Sequence, residues 1–167
     1  GREAEGAKAA ASHTGALAGE DSLYEAAFRK AGIIRIEDSA KLLDVFEALT
    51  LQALPKGNRL FILTNAGGPG VMATDYLIKA GGKLAELSEA GKTKFNGFLP
   101  SFWPHSNPVD ILGDASKDRY AQSLDILLNE EGSDGVLVLL TPQAMTQCTD
   151  TATMVVEKSR CGAKPIF

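Results

Sequence analysis

Residues 60–75, Leu60-Phe61-Ile62-Leu63-Thr64-Asn65-Ala66-Gly67-Gly68-Pro69-Gly70-Val71-Met72-Ala73-Thr74-Asp75, leave this chain few choices of fold. Four apolar residues running into a turn read as an interior strand buried on both faces. Gly67, Gly68 and Gly70 allow positive φ and close backbone approach, and Pro69 suits the first position of a helix, where its missing N–H costs nothing. The pattern is therefore strand, glycine turn, helix. Amides left free at such a helix start, backed by the helix dipole, can hold an anion such as phosphate. That makes Asn65, Ala66, Gly67, Gly68 and Gly70 candidate phosphate-binding residues. Tight packing alone would also account for the glycines, and neither a GxGxxG fingerprint nor a Walker loop is present.

The second feature is Ala10-Ala11-Ser12-His13-Thr14-Gly15-Ala16-Leu17-Ala18-Gly19, a histidine among small residues. A neutral imidazole is a competent nucleophile toward phosphorus near pH 7, and small neighbours leave room for a charged adduct. His13 in a mobile loop is thus the candidate nucleophile, with Ser12, Thr14 and Gly15 as its neighbours. A solvated surface histidine is the competing reading.

Composition narrows the classes. A chain of 167 residues with 44% hydrophobic content can bury a core, and a net charge of −4 without a polybasic run argues against nucleic acid as a partner. Neither a signal peptide nor an apolar run near 18 residues is visible, so the expectation is a cytoplasmic protein without a membrane partner. Cys148 and Cys161 form no CxxC pair and His is scarce, so no metal site is expected and both thiols read as free.

Taken in order, Leu23, Tyr24, Ala27 and Phe28 have helical spacing, with acidic Glu20 and Asp21 before them and Gly32 as the stop. Ile33–Ile36 reads as a short strand. Asp38 or Ser39 can cap a helix whose Leu42, Leu43, Phe46, Leu49 and Leu51 read as a core face. No apolar strand precedes His13, so the sheet that positions it is expected from elsewhere, and residues 1–52 read as the back end of an α/β domain. Residues 53–59, with Pro55 and Gly57, form a linker, and a new α/β domain runs over 60–167.

Within it, Val71–Ala80 is predicted helical with a stop at Gly81-Gly82, Lys83–Leu87 a strand, and Ser88 the cap of a helix toward Phe95. Asn96–Pro108 holds too many breakers for a regular element. His105 lies in that loop without a carboxylate or nucleophile at useful spacing, so it is not assigned a catalytic role. Asn107-Pro108 starts a turn, and Gly113 lets amides approach a ligand; an ordinary turn with Asp114 capping the next helix is the alternative. A helix over Tyr120–Leu128, a buried strand over Gly135–Leu140, a helix from Met145 to Lys158 and a last strand at Lys164–Phe167 complete the pattern. Alternation of strand and helix predicts a mostly parallel sheet with helices on both faces. The last strand is expected to continue beyond Phe167.

These segments resemble the NDP-forming acyl-CoA synthetases, relatives of succinyl-CoA synthetase. The resemblance rests on Gly6–Gly19, Thr64–Gly70, Asn107–Asp110 and Leu140–Met145, and it spans the chain in the family's order. It implies a flavodoxin-like (succinyl-CoA synthetase-like) ligase domain over 60–167. It also implies that His13 is transiently phosphorylated, that Asn65–Gly70 cradles the phosphate, and that Asn107, Asp110 and Gly113 border the substrate. The implied reaction interconverts acyl-CoA, ADP and phosphate with a small carboxylic acid, CoA and ATP. CoA, ATP/ADP and Mg²⁺ would then bind mainly to a CoA-binding domain and an ATP-grasp domain or subunit outside residues 1–167, and this chain alone is expected to be an inactive part of an oligomer. The carboxylate that orients His13 is likewise expected outside it. Two other readings fit the same residues: a ligand-sensing synthetase-like module of a protein acyltransferase or regulatory fusion, and a flavodoxin-like nucleotide binder.

Overall fold

The structure, a computed structural model, describes residues 3–14, 20–36, 38–162 and 164–167, without the side chains of His13, Thr14 and Cys161. Its contacts divide the chain into two units, Gly1–Val45 and Phe46–Phe167.

In the first unit, helix α1 spans Ala4–Thr14 and helix α2 spans Asp21–Ala31. Alanine is the strongest helix former, so the small-residue run that reads as a loop is helical as far as Thr14. Helix α2 stops as expected: Gly32 is left-handed at φ 69°, and Ile33 N–H donates to Phe28 O at 2.9 Å. Ile33–Ile36 is not a strand. Instead Arg35 reaches back to α2, donating to Asp21 Oδ2 at 3.1 Å and Glu25 Oε2 at 3.2 Å, with its guanidinium 5.9 Å from the Phe28 ring centre.

Helix α3, Lys41–Thr50, follows an Asp38 whose Oδ1 accepts from Ala40 N–H at 2.9 Å. Its periodic face is not core: Leu43 is 70% and Phe46 63% exposed, and no residue of α3 is buried. Amphipathic spacing marks a face suited to burial and does not specify what covers it.

In the second unit, β1 (Arg59–Thr64) is the axis of a four-stranded parallel sheet. Helix α4 (Gly67–Lys79) follows it, then β2 (Lys83–Leu84), α5 (Glu89–Asn96), β3 (Val109–Asp110), α6 (Lys117–Leu128), β4 (Gly135–Leu139) and α7 (Cys148–Cys161). Strand β4 pairs with β1 along five residues, from Leu60 opposite Gly135 to Thr64 opposite Leu139. A strand has two edges, so β2 and β3 share the other: β2 pairs at Arg59 and Leu60, β3 at Leu63 and Thr64. The segment after α7 lies against β4, with Val136 bridged to Ile166.

Phe61 and Leu63 belong to the main core with Phe95, Trp103, Tyr120, Leu124 and Leu127. Ile62, equally buried, points to the opposite face, where α4 packs on β1. Helices thus cover both faces. Ser88 caps α5 as expected, its Oγ accepting from Gly91 N–H at 2.9 Å. The cap of α6 is Ser116, not Asp114, which instead pairs with Arg119. Helix α7 starts at Cys148, three residues later than the sequence pattern implies, because Thr141–Gln147 forms a loop.

Candidate functional site

Strands β1, β3 and β4 end side by side, since Thr64 lies opposite both Asp110 and Leu139. The carboxyl end of a parallel sheet is where α/β folds bind ligands. Here three segments meet: Asn65-Ala66 with the start of α4, Ile111–Gly113 and Thr141–Gln143.

The first loop is tied by Thr64, whose Oγ1 accepts from Ala66 N–H at 3.1 Å. Ala66 is the extended N-cap of α4, and Gly70 N–H donates back to Ala66 O at 3.4 Å. Pro69 is therefore the third helical residue, not the first. With Pro69 lacking an N–H, the amides of Gly67 and Gly68 are the two helix-start donors without an acceptor among the described residues. The glycines do not serve by positive φ, which among the described glycines occurs only at Gly32 and Gly81. Their role is closeness. A methyl group on Gly70 would lie 3.2 Å from Thr64 Cγ2 and 3.3 Å from Pro108 Cβ, whereas one on Gly68 would meet nothing within 4 Å. Gly70 packs the helix onto the sheet, and Gly68 leaves the approach to the amides open.

Asp110 stands beside this helix start, its Oδ2 3.3 Å from the place a Gly67 methyl would take, while its Oδ1 accepts from Leu112 N–H at 2.9 Å. Leu112 is left-handed at φ 72°. Arg119 holds the loop from below, donating to Ile111 O at 3.0 Å and pairing with Asp114, whose carboxyl its hydrogen bond keeps below the ordinary carboxylate range. Tyr120 is fully buried and donates to Leu139 O at 2.9 Å; burial pushes its hydroxyl pKa up, so it stays protonated.

Asn107 is tied into the sheet. Its Oδ1 accepts from Ile62 N–H at 2.9 Å, and its Nδ2 donates to Leu60 O at 2.8 Å and Ala85 O at 2.9 Å. The side chain lies between β2 and β3 along the edge of β1 and ties the sheet together there. Asn65 is also structural, buried and bonded to Thr141. His105 stacks on Trp103 with ring centres 4.5 Å apart, its Nε2–H donating to Ser101 O at 3.0 Å.

His13 and Thr14 lie in the last turn of α1, where exposed Ser12 donates to Ala9 O at 2.8 Å. Gly15 lies outside the described residues. One residue that the sequence did not nominate is Gln143, whose carboxamide lies against Gly113, within 2.7 Å of where a methyl group there would stand. Its place in the Leu140–Met145 motif was the available signal.

A parallel α/β sheet with helices on both faces and a glycine-started helix at its carboxyl end is a domain of the doubly wound class. Residues 60–161 match the profile described as the Ligase-CoA domain, and residues 1–49 that of the succinyl-CoA ligase like flavodoxin domain. The chain belongs to the Ligase-CoA family. It is 46% identical to "Acetate–CoA ligase [ADP-forming] I" of Archaeoglobus fulgidus, over 95% of this chain and 23% of that protein. It is 39% identical to "Acetate–CoA ligase [ADP-forming] II subunit alpha" of Pyrococcus furiosus, over 90% of this chain and 33% of that subunit. Its fold is similar to the dinucleotide forming acetyl-coenzyme A synthetase 1 of Ca. Korarchaeum cryptofilum in complex with phosphate and ADP. That similarity has a TM-score of 0.90 and 35% identity, covering 99% of this chain and 36% of the other. The chain thus spans between about a quarter and a third of the length of these relatives.

Proposed function

We propose that this chain is the phosphoryl-relay portion of an ADP-forming acyl-CoA synthetase, an acid–thiol ligase. The observation that carries the reading is the pair of unaccepted amides at Gly67 and Gly68, opening at the carboxyl end of a parallel sheet, in a chain related to acetate–CoA ligases. In this reading phosphate displaces CoA from acyl-CoA to give an acyl phosphate. An imidazole nitrogen of His13 then attacks the phosphorus: an N–P bond forms, the P–O bond to the acyl group breaks, and the carboxylate leaves with the electron pair. The other ring nitrogen passes its proton to a carboxylate outside this chain, and the phosphoryl group goes on to ADP.

The chain's own contribution is binding and charge. Fixed amides at the positive end of α4 offset negative charge on the phosphoryl oxygens without reorganising. Two amides with a single carboxylate beside them suit a phosphate rather than a resident metal. As the resemblance to the ADP-forming synthetases implies, CoA, the nucleotide and Mg²⁺ are assigned to a CoA-binding domain and an ATP-grasp domain or subunit, with residues 1–52 and 60–167 as parts of two domains joined by 53–59. The relatives include both longer single chains and an alpha subunit, so the partners can be fused or separate. A cytoplasmic location and an oligomeric state go with this assignment.

The test is to incubate the full-length protein with labelled ATP and Mg²⁺. Acid-labile protein-bound phosphate is expected, and it should vanish in His13→Ala. Label retained in that variant would overturn the assignment.

A further inference from the structure

We propose that the cavity at the amino end of the sheet is a binding site for an organic phosphate, its phosphate group held by Lys56, Arg59 and Lys164 and its apolar part resting on Leu54 and Pro165. The inference does not rest on the functional reading above. Arg59 and Thr64, the two ends of β1, are about 17 Å apart by the rise of a parallel strand, so this site is separate from the glycine turn that follows Thr64.

Three stretches of chain build the cavity. It measures about 530 Å³ and opens where Arg59 begins β1, Ser133-Asp134 precedes β4 and Lys164-Pro165 follows α7. That volume suits a ligand of small-molecule size. The segment before β1 completes the wall, and it is pinned: Asn58 Nδ2 donates to Gly81 O, and Lys83 N–H to Asn58 O, both at 2.8 Å. Gly57 lies so close to Asp134 that a methyl group on it would stand 2.5 Å from Asp134 Oδ2. Leu54 and Lys56 thus line the cavity from an anchored segment.

Charge decides what the cavity takes. Arg59 directs Nε and Nη2 to Asp134, which leaves Nη1 without an acceptor among the described residues. Lys56 is exposed and makes no ion pair among them. Lys164 donates to Glu130 O and to Ser133 Oγ, the second at 3.1 Å, so both of its acceptors are uncharged. Burial pulls the Lys164 pKa below the ordinary lysine value, although Glu130, Asp134 and Glu131 act to raise it. A part-buried ammonium that its neighbouring carboxylates do not compensate is stabilised by an added anion. The wall carries three cations, Lys56, Arg59 and Lys164, against two carboxylates, Glu131 and Asp134, and Asp134 is already engaged by Arg59. Donors from three separate segments suit a tetrahedral dianion better than a planar carboxylate, and Leu54 with Pro165 offers a carbon group attached to it an apolar surface.

The test uses the whole enzyme and phenyl phosphate, a phosphate monoester with an apolar ring, with binding read by calorimetry and Tm by thermal unfolding. Wild type should bind the ester and should not bind phenol. The side chains of Leu54 and Lys56 are exposed and make no hydrogen bond or ion pair among the described residues, so Lys56→Glu and Leu54→Asp should keep the wild-type Tm. Each should raise Kd about ten- to a hundred-fold, the range for losing a hydrogen bond to a charged group. Lys164→Met should weaken binding as much, with a lower Tm because Glu130 O and Ser133 Oγ lose their donor. Gly68→Ala, past the carboxyl end of β1, should leave Kd unchanged. No binding by wild type, an unchanged Kd in Lys56→Glu or in Leu54→Asp, or loss of binding in Gly68→Ala would overturn the proposal; so would phenol binding as tightly as the ester.

Discussion

Asn65 and Thr141, 76 residues apart, exchange two hydrogen bonds: Asn65 Nδ2 donates to Thr141 O at 2.9 Å, and Thr141 N–H donates to Asn65 Oδ1 at 2.8 Å. A side chain here plays the part of one more residue of β-ladder, joining the loops that leave β1 and β4. Asn65→Ala leaves both Thr141 groups without their partner and opens a void where Asn65 is 1% exposed. The expected loss is about 2–4 kcal/mol, read from the urea midpoint at unchanged slope.

Asn107 does similar work at the other edge of β1, with three hydrogen bonds to Ile62, Leu60 and Ala85. Asn107→Asp keeps the shape but removes both donors and sets a carboxylate against two carbonyl oxygens. Unfolding experiments should show a loss of about 2–4 kcal/mol, no smaller than that of Asn107→Ala.

Gly68 and Gly70 should separate stability from function. Gly70→Ala crowds Thr64 Cγ2 and Pro108 Cβ, and is expected to cost about 1–2 kcal/mol despite the better helix propensity of alanine. Gly68→Ala meets nothing within 4 Å, so stability should hold or rise by about 0.5–1 kcal/mol. Under the proposed function its methyl group stands at the mouth of the amide pair, and phosphate use by the whole enzyme should fall. A Gly68→Ala enzyme with unchanged KM for phosphate would count against the placement of the site.

Arg59 and Asp134 join the first residue of β1 to the turn before β4, with Arg59 Nε 2.9 Å from Asp134 Oδ2 and Arg59 N–H donating to the same oxygen at 3.0 Å. These bonds, the side-chain one foremost, hold the Asp134 carboxyl below its ordinary range. A carboxyl with a depressed folded pKa contributes stability that is present above its unfolded value of about 3.9 and is lost as pH falls through the folded value. Asp134→Asn should therefore be less stable than wild type at neutral pH and show a shallower loss on acidification below about pH 4. Equal slopes in a urea titration across that range would exclude this role.

Local pattern was enough for the parts of this protein whose cause is local. The apolar run before Asn65 specified the central strand, Gly32 and Gly81 the helix stops, and Ser88 a cap, because each depends on neighbours within a turn or two along the chain. The glycine turn was legible as the strand-to-helix corner for the same reason: its donors come from one helix start. Tertiary structure decided the rest. Asn107 could be recognised as a sheet residue only once β2 and β3 were seen to share one edge of β1, and the contact of Gln143 with Gly113 only once the loops after β3 and β4 were seen to meet. Such contacts join segments 22 to 76 residues apart, and no period or motif within either segment records which partner the other will supply.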